Sequence, residues 1–229
     1  MGLFQKLLGM KGGDAEEANV PWSVPDGMDE EHFVRCCAEA AFTEAAEDRT
    51  FRSDPAFQQV LGPLNAEQYA SAIKAAAKVV PRFPDFDLPY KWLAAAYLST
   101  DQLQQSRAVL IKGLAKTRRK SLLLTDLGET EWRLGNIHQA VFYWCQALQC
   151  LGANPVDYNA YLLLAHVARG CGLSGAEQAL LARVDAMQGG SVRIDSTTGE
   201  RLLSMVRQNK TGAMSRAVQH AVDHHLHSA

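Results

Sequence analysis

The sequence predicts an all-α fold: a solenoid of three to four stacked helix pairs with helical caps. Three observations predict it. A pattern covering residues 87–154 is written twice at a spacing of 34. Within each copy the apolar residues recur at helical spacing rather than alternating. Across the 229 residues alanine is abundant and β-branched runs are scarce. A fixed period in the thirties marks a repeat in which no unit can bury its apolar face alone, so neighbours must stack.

Residues 1–11 read as an amphipathic helix. Leu3, Phe4, Leu7 and Leu8 share one face, with Lys6, Lys11 and the amino terminus adding positive charge. The run is too short for a secretory apolar region and has no cleavage site. Gly2 invites a myristoylation reading, but Lys6 stands where that motif needs Ser or Thr. Residues 12–27 form a linker, flexible and acidic at its start around Gly12-Gly13, with Pro21, Pro25 and Gly27 as breakers near its end. Residues 28–52 read as a capping helix. Asp29, Glu30 and Glu31 place negative charge where a helix N-terminus favours it, and Phe33, Cys37 and Ala41 form the apolar stripe.

The array spans residues 53–187. Leu93-Ala94 is answered by Leu127-Gly128, Asp101 by Gly135, Leu103 by Ile137, Ser106 by Ala140, Leu110 by Trp144 and Gly113 by Ala147. Upstream, Tyr69, Ala72, Ala76 and Val79 precede the second-helix positions by the same 34 residues. Small residues there let helices approach closely, and large ones fill the grooves. Helix pairs are expected near 53–84, 87–119, 121–151 and 157–187. This pattern resembles the tetratricopeptide repeat family. In the copy at 121–154, Leu124, Leu127 and Gly128 stand where the family has Trp-x-x-Leu-Gly, Gly135-Asn136 is the turn, and Ala140, Trp144 and Ala147 follow. A fourth copy, with Tyr161, Leu164, Ala165, Ala176 and Leu180, is off length at its turn.

Residues 188–229 depart from the repeat. Thr197-x-x-Glu200 has capping-box spacing. A last helix carries Met214, Ala217, Val218, Ala221 and Val222 on one side. These two helices either cap the array or lie in its groove. His220, His224 and His227 on the last helix are spaced so that their rings share a face, a candidate metal-binding trio. A solvated helix end accounts for them as well.

The resemblance implies a non-catalytic interaction scaffold that holds a peptide or helix of another protein on its concave face, which in this family is lined by first-helix residues. Those positions are Leu88, Lys91, Ala95 and Leu98 in one unit, and Leu122, Thr125, Glu129, Trp132 and Arg133 in the next. Tyr158, Leu162, His166 and Arg169 follow in the fourth. Family members that grip a C-terminal carboxylate use Lys and Asn at set positions. Lys91 matches, but Ala95 and Asp126 replace Asn, which argues against a carboxylate clamp. The alternatives are a peripheral assembly factor docked through residues 1–11 and a secretion-type chaperone.

Several classes lack support. The net charge of −2 gives no argument for nucleic acid. There is no phosphate loop, nucleophile elbow or Cys-His signature, so neither catalysis nor a cofactor is expected. The five cysteines have no zinc spacing and are expected to be reduced, which fits the cytoplasm, peripheral to a membrane if residues 1–11 dock there. Lys112, Lys116, Arg118, Arg119 and Lys120 form the one basic cluster, suited to a helix C-terminus and to weak contact with an anionic surface.

If residues 1–11 dock the protein, Phe4→Glu abolishes membrane or complex association and leaves the melting temperature unchanged. A four-residue apolar face of ~200–300 Å² is worth roughly 5–7 kcal/mol before ordering costs. Flotation with liposomes and thermal melts check this. A lowered melting temperature would show instead that the segment packs on its own chain.

Overall fold

The computed structural model describes residues 54–117, 119–150, 158–188 and 194–228. The predicted amphipathic helix with Leu3, Phe4, Leu7 and Leu8, the linker, and the capping helix lie outside the described residues. Among the described residues there are ten helices and no strands. In chain order they are α1 (Pro55–Asn65), α2 (Tyr69–Val79), α3 (Asp87–Ser99), α4 (Leu103–Lys116) and α5 (Ser121–Arg133). There follow α6 (Ile137–Gln149), α7 (Asn159–Cys171), α8 (Ser174–Gln188), α9 (Ser196–Asn209) and α10 (Gly212–Ser228).

The 34-residue period is visible as geometry. α2, α4 and α6 start at Tyr69, Leu103 and Ile137, and α3 and α5 at Asp87 and Ser121. The turn inside each pair is the same turn. Glu67, Asp101 and Gly135 all have positive φ, at 57°, 58° and 91°. The next residue then donates its backbone N–H five residues back: Gln68 to Pro63, Gln102 to Tyr97 and Asn136 to Glu131, at 2.8–2.9 Å. This left-handed stop with a six-to-one bond is how a helix ends when its last carbonyls are satisfied by the chain leaving it. Only the third copy uses the residue that adopts the conformation without strain.

Packing follows the pairs. α1 lies against α2, α3 against α4, and α5 against α6. The first helices α1, α3 and α5 also touch in succession, and α2 and α4 each pack on the first helix that follows. Small residues set these distances. A side-chain carbon on Gly113 would fall 2.8 Å from the Tyr90 ring. One on Gly128 would overlap the Trp144 indole, whose N–H donates to the Thr125 carbonyl at 3.1 Å. Trp144, Tyr90, Tyr143, Tyr161 and Phe142 are the largest fully buried side chains. Ala140 is fully buried, as its repeat position requires.

The fourth pair keeps the turn and loses the register. Gly172 has φ 78° and Leu173 donates to Ala168 at 2.9 Å, the same bond again. But α7 begins 38 residues after α5, and α8 begins 37 after α6. The principal neighbours of α7 are α6, α8, α9 and α10. α9 packs mainly on α7, and α10 on α6, α7 and α8. All five apolar residues expected on the last helix, Met214, Ala217, Val218, Ala221 and Val222, are buried. One local expectation is corrected: α9 starts at Ser196, and its cap is Asp195, which accepts from the Thr198 N–H at 2.9 Å. A carboxylate at this position is a stronger acceptor than the Thr197 hydroxyl.

The turns make a paired prediction. Glu67→Gly relieves a left-handed residue and raises stability by about 0.5–1 kcal/mol. Gly135→Ala lowers it by a similar ~1 kcal/mol. No atom lies within 4 Å of the added carbon at Gly135, so that loss isolates the backbone effect. Urea unfolding of both variants measures it.

Candidate functional site

The first-helix residues of α3 and α5 come together, joined by charge. Lys91 Nζ donates to both carboxylate oxygens of Asp126 at 2.9 and 3.1 Å. Arg133 donates to the Leu98 carbonyl at 2.9 Å and to Asp101 at 3.0 Å. Helical spacing puts Leu88, Lys91 and Ala95 on one face of α3, and Leu122, Asp126, Glu129 and Arg133 on one face of α5. Of these, Leu88, Lys91, Ala95, Leu122, Glu129 and Arg133 are half-buried. Leu98 and Thr125 are buried, Thr125 with its hydroxyl donating to the Ser121 carbonyl.

Glu129 stands apart within this set. Among the described residues it makes no hydrogen bond or ion pair. Burial raises its carboxyl above the usual carboxylate range, and the negative charge of Asp126 adds to that, while Arg133 and Lys91 offset it in part.

The remaining candidate residues belong to a different surface. Trp132 is buried; its indole N–H lies 3.1 Å from the Met205 sulfur, and the Arg201 guanidinium lies over its ring at 5.7 Å. Both partners are on α9. On α7, Leu162 is buried, and His166 lies within 3.0 Å of where a side chain at Gly199 would project. Val206 packs on Gly170 in the same way, at 2.6 Å. α9 therefore lies over the ends of α5 and α7 that carry Trp132 and His166. Tyr158 is half-buried, and Arg169 is exposed and paired with Glu177 on α8 at 2.6 Å.

The basic cluster separates. Lys112 and Lys116 are exposed. Arg119 is buried and bonded to Asp87 at 2.5 Å, and Lys120 donates to the carbonyls of Leu114 and Thr117. Lys120 thus satisfies the last carbonyls of α4, as the dipole argument implies, and the two residues are not part of an outer basic surface. Arg118 lies outside the described residues.

Sequence reading missed two ties. Arg107 of α4 pairs with the buried Glu131 of α5 at 2.7 Å, and Asn136 donates to the other Glu131 oxygen at 2.8 Å. Beside them the α5–α6 turn opens a cleft of about 340 Å³, reaching His138 and Asn209. Neither tie leaves a repeat-length signal, since Arg107 and Glu131 stand 24 residues apart and Asn136 and Glu131 five.

Of the histidine trio, the His220 and His224 rings stack at 6.3 Å, and the His227 side chain lies outside the described residues. Among the described residues no group of three or more His, Cys, Asp or Glu is arranged to hold a metal. Cys145, Cys150 and Cys171 are buried and unbridged; burial raises the thiols of Cys145 and Cys171. No described helix is long and apolar enough to cross a membrane. No protein-family model, curated protein or solved structure matches this chain.

His225 supplies a pH test of the α7–α10 contact. It is buried, with Nε2 2.7 Å from the Tyr161 hydroxyl. Burial, then Arg183 and His224, lower its pKa below 6.5. His138 and His220 shift the same way, through burial first. A lowered folded-state pKa means the unfolded chain binds more protons, so this stability is complete above 6.5 and is lost as pH falls through the folded value. The melting temperature is expected to fall as pH drops below about 6.5, and His225→Gln to flatten that fall in part. Melts across pH check both.

Proposed function

We propose that this chain is a tetratricopeptide-like interaction scaffold whose α3–α5 face holds a segment of another protein. The observation that carries the reading is the half-buried patch formed by Leu88, Ala95 and Leu122 beside Glu129, set on two first helices that neighbouring units hold rigid. Helices fixed by their own packing lose little freedom on binding, which favours capture of a flexible segment. The reading is narrower than the resemblance implies. The chain's own α9 lies over Trp132 at the end of α5 and over His166 on α7, so the patch offered to a partner is the remainder of the α3–α5 face. Lys91 is engaged with Asp126, which further counts against a clamp for a free carboxylate.

A photo-crosslinking residue at position 122 in living cells, with adducts identified by mass spectrometry, tests the reading. The same residue at position 112, exposed on α4, serves as the control. Adducts are expected at 122 and not at 112. With the partner purified, Leu122→Asp should weaken binding at least ~10-fold, since burying a leucine is worth about 1.5–3 kcal/mol. Helicity should be unchanged. Equal labelling at both positions, or full affinity of Leu122→Asp, would remove the face from consideration.

A further inference from the structure

Glu129 gives the α3–α5 face a chemical preference. Four charged side chains lie along it: Lys91, Asp126, Glu129 and Arg133. Lys91 and Asp126 neutralise each other through two contacts of 2.9 and 3.1 Å. Arg133 directs one nitrogen to the Leu98 carbonyl and another to Asp101. Both nearby cations are thus committed to holding α3 and α5 together. Glu129 remains half-buried and without a hydrogen bond or ion pair among the described residues. Leu88, Ala95 and Leu122 are half-buried on the same two helix faces.

We propose that the occupant of this face is a basic amphipathic segment of a partner protein: a cationic side chain meets Glu129, and apolar side chains cover Leu88, Ala95 and Leu122, the last about two helical turns from Glu129. This rests on the reading of the face given above. Covering Glu129 with an apolar segment strips its carboxylate of water and returns nothing, a neutral amide returns one hydrogen bond, and a guanidinium or ammonium adds opposite charge to that bond. An acidic segment adds repulsion from both Glu129 and Asp126. The raised carboxyl of Glu129 has the same origin, burial first and then Asp126, and an arriving cation acts against both causes. Arg133 offsets the raised carboxyl only in part, its two terminal nitrogens being directed to the Leu98 carbonyl and Asp101.

The test uses the full chain and three fluorescent helical peptides with one shared leucine face. Their central polar residue is arginine, glutamine or glutamate. Binding is followed by anisotropy at moderate salt. The wild type is expected to prefer the arginine peptide over the glutamine peptide by roughly 5–10-fold and to bind the glutamate peptide least. Glu129→Gln, which keeps size and shape, should bring the three affinities within about twofold. Glu129→Asp should retain part of the preference. Leu122→Asp should weaken all three. Thermal melts of Glu129→Gln at or above wild type establish that the variant is folded. Equal affinities in the wild type, with binding still lost in Leu122→Asp, would overturn the cationic preference and leave the face intact. Binding unaffected by Leu122→Asp, or no binding of any peptide, would overturn both. Residues 1–11 themselves combine leucines with lysines. A tenfold gain in affinity for the arginine peptide when they are deleted would assign the face to that segment, and overturn its assignment to a partner.

Discussion

Trp144 rests on the bare backbone of Gly128, and its indole N–H reaches the Thr125 carbonyl of the same helix. Any side chain at Gly128 would push α5 and α6 apart. Tyr90 meets Gly113 in the same manner within the preceding pair, and Val206 meets Gly170 where α9 crosses α7. In each case a large side chain from one helix occupies the gap left by a missing side chain on another. Interior packing at crystal-like density leaves no slack to absorb a shift at such points. α5 also packs directly on α3 and α4, where Gly113 meets Leu123, and it is against α3 that Asp126 comes within reach of Lys91.

The repeat itself was legible because it is local. Matching small and large residues 34 apart located the helix pairs from α2 to α6, and the apolar stripe of α10 was read correctly from its spacing. The positive φ of Glu67 left no mark in the sequence, whereas Asp101, a residue type that tolerates it, was matched to Gly135 by the repeat. What the sequence left open was long-range. Register arithmetic placed Trp132, Leu162 and His166 on the groove-lining face and could not choose between a capping and a groove position for the last two helices; the fold puts Met205 of α9 on Trp132, 73 residues away. The run from Lys112 to Lys120 read as one basic surface. The chain turns after α4, however, and carries Arg119 and Lys120 inward to an aspartate and two carbonyls. Periodicity gives the face of a residue within its own helix, and the covering of that face depends on the whole fold.

The molecule therefore divides into two kinds of surface. On α3 and α5 the polar residues are used chiefly to bind the helices to each other, leaving apolar side chains and Glu129 half-exposed between them. On α5's end and α7 the equivalent positions are occupied by the protein's own C-terminal helices. A repeat array with free ends has an unsatisfied apolar face at each terminus. Here α9 and α10 cover that face at the C-terminal side, with Val206, Met214 and Val218 fully buried. The same covering shortens the surface that remains open.

The three buried cysteines carry a practical consequence. Cys145 and Cys150 are on or beside α6 and Cys171 ends α7, so all belong to the junction where the regular stack gives way to its cap. A thiol reacts as its thiolate, and enclosure in an apolar interior both blocks reagents and disfavours that ionised form. Burial shields all three sulfurs in the folded protein, and at Cys145 and Cys171 it also favours the protonated thiol. Alkylation followed at these three positions, residue by residue, therefore reports opening of the junction between the stack and its final helices.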